Sequence, residues 1–168
     1  MNFFSVKEFF YKLNTIGFIL LLLPLVLFVY LYFHALTTEP AIVDEDQQTV
    51  LFLVLCAVAA VALTIVHLLW RQRVRRLKTL NELAIKMDGF FVLVVMRNGA
   101  YAAGSLIMAM GFYLTEFVFF TGAFLILMLA LITQWPTPGA FCKVFNLRGL
   151  ERDMVLNDRD LPGRAARK

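Results

Sequence analysis

Long uncharged stretches alternate with short polar ones along this chain, and their lengths predict its elements. From Thr15 to Leu36 there are 22 residues with no formal charge. At 1.5 Å per residue a helix of that length crosses a hydrocarbon core of about 30 Å. A second stretch, about 49–70, ends abruptly in the basic run RQRVRRLK at 71–78. The third, an apolar segment from Gly89 to Gln134 interrupted by Arg97 and Glu116, has 46 residues. As one helix it would measure about 69 Å, more than twice the membrane core, so it must fold back. Gly111, Tyr113, Thr115 and Glu116 form the cluster that predicts the turn, giving spans of about 89–110 and 117–135. The sequence thus predicts an all-α polytopic membrane protein, a four-helix transmembrane bundle.

Two flanking segments complete the organisation. In residues 1–14, Phe3, Val6, Phe10 and Leu13 share one helical face while Lys7, Glu8 and Lys12 lie on others. That pattern predicts an amphipathic helix lying in the membrane interface. After the spans at 15–135, the run WPTPG at 135–139 ends the last helix and releases a tail over 136–168. Pro24, inside the first span, frees the carbonyl of Leu20 and predicts a kink.

Composition supports this reading. Hydrophobic residues make up 61% of the 168, against about 45–50% in soluble domains, and so small a chain could not bury them all. Charge then orients the spans. Lys7 and Lys12 precede the first, Arg71, Arg73, Arg75, Arg76, Lys78 and Lys86 follow the second, and seven more cations fall in the tail. The two other connections hold none. Lysine and arginine mark cytoplasmic loops, so both termini and the middle loop are expected in the cytoplasm of a plasma (inner) membrane protein. Trp70 and Trp135 at the inner ends, with Tyr30, Tyr32 and Tyr113 at the outer ends, match interfacial aromatic belts.

Few residues suggest chemistry. Arg97 and Asn98 interrupt the third span and mark a candidate interior polar site, since a charge within a span must snorkel, pair or face water. Small residues follow at Gly99, Ala100, Ala103, Gly104 and Ser105. Their four-residue spacing predicts a helix-packing face on which another helix comes close. The basic residues Arg71, Arg73, Arg75, Arg76 and Lys78 are candidate contacts for anionic lipid head groups. Glu116 falls at a turn, where a carboxylate can stay wet. His34 and His67 lie at opposite ends of their spans, too far apart to ligate one haem.

Cys56 and Cys142 stand outside any CxxC, and no Walker A, HExxH, GxSxG or dinucleotide fingerprint occurs. No catalytic, cofactor or metal site is therefore expected. The pattern is that of a non-catalytic membrane subunit or adaptor that packs with other membrane helices, or with a second copy of itself, and offers cytoplasmic segments to a partner. A small homo-oligomeric transporter with Arg97 on an anion path is the alternative, and a lipid-modifying membrane enzyme the third. Nothing points to nucleic acid.

Overall fold

The structure, a computed structural model, describes residues 6–35, 37, 45–80 and 82–157. It is all-helical: α1 (Val6–Ala35), α2 (Glu45–Lys78), α3 (Leu83–Thr115), α4 (Val118–Thr133), α5 (Pro138–Phe145) and α6 (Gly149–Leu156). Among the described residues there is no strand. The first three helices, with 30, 34 and 33 residues, are each long and apolar enough to cross a membrane. Helix α4 has 16 residues and passes that test only together with α5, across a bend of 78°. Three helices therefore qualify, or four if the bent pair is one span.

The helices outrun the uncharged stretches that predict them. At 1.5 Å per residue α1 to α3 measure roughly 45–51 Å, more than a hydrocarbon core of about 30 Å. The segment expected as a separate interfacial helix is the beginning of α1, which runs unbroken through Asn14 and Pro24. No proline lies near residue 14 to break the helix, and a Lys12–Glu8 pair at 2.6 Å supports its first turns.

The chain divides into two compact units, each with its own core. One comprises the start of α1, residues 68–96 and the chain from Trp135 onward. Val6, Phe9, Phe10 and Leu13 are buried there with Met87, Phe90, Phe91 and Val94 of α3 and Phe141, Phe145 and Val155. Phe141 is the hub. Its ring centroid lies 5.0 Å from Phe90, 4.9 Å from Phe145 and 6.3 Å from Phe9. The apolar face of the N-terminal segment is therefore turned onto protein; Phe3 lies outside the described residues. Its partner is the first part of the supposed tail, which holds α5 and α6. Thr137 caps α5 by accepting a hydrogen bond from the Ala140 amide at 3.1 Å, and Pro138 takes the first helical position. Proline is welcome there because that amide has no helical partner to lose.

The other unit comprises 18–67 and 97–134. Leu31, Ala59, Met108, Ala109, Phe112, Phe120, Phe124 and Met128 form its core, so four helices contribute. Phe28 stacks on Phe124 at 4.2 Å and Phe52 meets Phe120 edge-on at 5.0 Å. The turn between α3 and α4 consists of Glu116 and Phe117 alone. Glu116 adopts a left-handed φ of 54°, and the Thr115 hydroxyl accepts from the Phe117 amide at 3.2 Å while donating to the Gly111 carbonyl at 2.8 Å. Gly111 thus lies inside α3, not in the turn. Its place is one of close approach, because a Cβ there would come within 2.8 Å of three atoms of the Phe120 ring.

Large apolar side chains remain exposed over most of α1 and α2, among them Phe18, Leu22, Val26, Val54, Val58, Ile65 and Leu68. Soluble monomers rarely expose contiguous apolar patches beyond a few hundred Å². Exposure on this scale suits lipid or another membrane helix.

Gly111→Ala should destabilise the protein by about 1–3 kcal/mol through overpacking against Phe120. Gly122→Ala, on an open face of α4, should cost nothing. Thermal unfolding of both variants in mild detergent checks this, and equal midpoints would disprove the close contact.

Candidate functional site

Arg97 is the one charged residue in the chain's third apolar stretch between Gly89 and Glu116, and its surroundings define the candidate site. The side chain is half-buried, and Nη2 donates to the Gln134 carbonyl at 2.8 Å. Gln134 is the residue at which α4 ends. The last carbonyls of a helix lack amide partners and carry the negative end of its dipole. Arg97 supplies both the missing donor and the opposite charge.

Gln134 is held a second time, its Nε2 donating to the Tyr101 hydroxyl at 2.9 Å. Arg97 and Tyr101 are four residues apart on α3, and so face the same way. Together they clamp the end of α4 by its main chain and its side chain. The Tyr101 carbonyl in turn accepts from the Ser105 hydroxyl at 2.9 Å, which lets a fully buried serine sit in apolar surroundings. Asn98 is 1% exposed, and its Oδ1 accepts no hydrogen bond among the described residues. Arg97 and Asn98, adjacent in sequence, thus occupy different settings, one on the end of α4 and the other in the packed interior of α3.

The small residues of α3 divide between two faces. Gly104 and Ser105 are buried, and a Cβ on Gly104 would rest 3.4 Å from Leu127 of α4. This part of the expected packing face is used within the chain. Ala103 is exposed, Ala100 is half-buried, and a Cβ on Gly99 would meet open space. With Ile107 and Met110 these form an outward face. Helix α2 has a similar spacing at Cys56, Ala60 and Thr64, and among its described side chains only Ala59 and Val74 are buried.

Arg71, Arg73, Arg75, Arg76 and Lys78 are all exposed on the last turns of α2. Lys86, counted by sequence among the loop cations, is instead buried in α3 with Nζ 3.9 Å from the Glu151 carboxylate. Arg73 and Arg76 line a cleft of about 390 Å³ with Leu77, Gly89, Val92 and Leu93. A second cavity, of about 350 Å³, is lined in part by Cys142, Lys143, Asn146, Arg148 and Arg152. Sequence reasoning missed this convergence because it read the segment as a polar tail. The Thr137–Pro138 capping pair and the apolar spacing Phe141, Cys142, Phe145 were the available signals.

His34 lies edge-on to Tyr113 at 5.5 Å, while His67 is exposed. Glu116 is exposed at its turn. Among the described residues no three His, Cys, Asp or Glu side chains come together as metal ligands would. Comparison with known protein families, with curated proteins and with solved structures finds no match. What fold and site define is a class: an all-helical chain with three to four helices apolar enough to span a membrane, and a polar clamp at the end of α4.

Arg97→Leu removes a charged donor from a helix end and should lower stability by about 1.5–3 kcal/mol. Tyr101→Phe removes a neutral acceptor and should cost about 1 kcal/mol. In a double-mutant cycle read by denaturation in detergent the two should be non-additive, since both act on Gln134. Simple additivity would show that the clamp is not one unit.

Proposed function

We propose that this chain is a non-catalytic multi-pass subunit or adaptor of a plasma (inner) membrane, a four-span bundle with both termini in the cytoplasm. It packs with membrane helices of a partner or of a second copy, and it presents the α2–α3 connection and the folded segment after Trp135 to the cytoplasm. The observation that carries this reading is the pairing of a committed interior with an uncommitted exterior. Arg97 is engaged on the end of α4, while α2 and the Gly99–Ala103 side of α3 stay exposed. Small residues on an exposed helix face allow the close backbone approach by which membrane helices associate. The engagement of Arg97 by a main-chain carbonyl also gives that arginine a structural task, which draws support from an anion path.

The orientation rests on cation placement. Arg71, Arg73, Arg75, Arg76 and Lys78 share a unit with Lys143, Arg148 and Arg152, as the positive-inside rule requires of segments on one side. Trp70 and Trp135 fall in that unit and Tyr30, Tyr32 and Tyr113 in the other.

In a background lacking Cys56 and Cys142, Thr37→Cys should react with an impermeant thiol reagent in intact cells. Thr79→Cys and Lys143→Cys should react only after lysis. All three positions are exposed, whereas native Cys142 is buried and makes a poor probe. Labelling of Lys143→Cys from outside would overturn the orientation.

Gly99→Leu with Ala103→Leu should release co-purifying subunits or dissociate the oligomer in mild detergent while leaving the unfolding midpoint unchanged. A saturable solute flux in reconstituted vesicles, lost in Arg97→Gln, would replace the adaptor reading with the transporter.

A further inference from the structure

The cleft between the end of α2 and the start of α3 has two chemically different parts. Leu77, Gly89, Val92 and Leu93 make an apolar wall, and Arg73 and Arg76 stand beside it. Gly89 creates the floor, since a Cβ there would come within 2.6 Å of a Leu77 methyl carbon. Helices α2 and α3 can therefore come close at that level. Along α3, Val92 is one turn beyond Gly89 and 53% exposed, while Leu93 is buried. These two residues lead into the apolar stretch of α3, and the arginines directly follow that of α2.

Arg73 and Arg76 are three residues apart and share a face of α2. Arg71, Arg75 and Lys78 stand nearby on the same turns, and among the described residues no carboxylate lines the cleft. The C-terminal dipole of α2 repels anions, so an anion held here must be held by side chains. At about 390 Å³ the space falls within the range of small-ligand pockets, about 300–1,000 Å³.

We propose that this cleft binds one anionic phospholipid, its phosphate between Arg73 and Arg76 and an acyl chain along Leu77, Val92 and Leu93. The assignment rests on the reading of α2 and α3 as membrane spans. Charge complementarity selects an anion, and the exposed valine selects an occupant with a hydrocarbon tail. A soluble phosphate ester would leave that wall wet. Arginine stems can lie along the apolar surface while their guanidinium groups stay at head-group depth.

The test is native mass spectrometry of the full chain from mild detergent, titrated with phosphatidylglycerol, phosphatidylcholine or glycerol phosphate. Phosphatidylglycerol should be retained in preference to the other two. Arg73→Gln with Arg76→Gln should weaken retention about 25-fold, roughly five-fold for each cation removed near a membrane surface. Arg71→Gln with Arg75→Gln removes the same charge outside the cleft and should change retention less than two-fold. Val92→Trp fills the cleft, keeps every charge and should also weaken retention at least five-fold.

Equal losses in the two double variants would reduce the site to diffuse electrostatics and overturn the proposal. Equal retention of phosphatidylcholine, or of glycerol phosphate, would overturn it too. Extraction of the chain from membranes by alkaline carbonate would instead overturn the membrane reading on which it rests. A chain that resists carbonate yet shows no lipid preference fails the proposal alone.

Discussion

An arginine in an apolar stretch needs an acceptor, and the end of a helix needs donors. Arg97 and the Gln134 carbonyl answer both needs in one hydrogen bond of 2.8 Å. Water is scarce in such surroundings, so each group would otherwise carry a large desolvation cost. The bond fixes where α4 stops and which face it turns to α3. Tyr101 reinforces it through the Gln134 side chain, and Ser105, one turn further along α3, donates to the Tyr101 carbonyl. The α3–α4 pair is set at its other end by the two-residue turn at Glu116 and by the bare backbone of Gly111 under Phe120.

Aromatic packing fills what the polar contacts frame. In one unit Phe28, Phe112, Phe120 and Phe124 join the helices. In the other, Phe9, Phe90, Phe91 and Phe141 do so. There the Trp135 indole also donates to the Asn14 side chain at 3.1 Å, and a Cβ on Gly17 would touch the same ring. Aromatic rings bury large areas with few rotatable bonds, and edge-on or offset contacts add to that burial. Many of the phenylalanines thus have definite packing partners, beyond raising the chain's hydropathy.

The proposed function draws on how unequally the helices are used. Helix α3 is packed along much of its length, whereas in α2 only Ala59 and Val74 are buried among the described side chains and most of the rest are exposed. Most of its surface is thus left for lipid or another protein to cover. The proposed subunit role and the proposed lipid cleft both place a partner against this exposed side. They differ in what they ask of it: close backbone approach at Gly99 and Ala103, and a cationic, apolar-walled cleft at Arg73 and Arg76.

Apolar length alone pointed to an all-helical chain of four spans, and three to four helices are long and apolar enough to cross a membrane, because hydropathy and helical rise are local properties. The small-residue spacing on α3 and the oddity of Arg97 were legible for the same reason. Sequence could not show which small residues would be used up inside, since Gly104 and Ala103 differ only in the face they happen to present. Nor could it show that Gly111 serves Phe120 instead of a turn, that Phe9 and Phe10 meet Phe141, or that Arg97 finds Gln134, 37 residues away. Those pairings depend on how helices distant in sequence come together, and only the tertiary structure decided them.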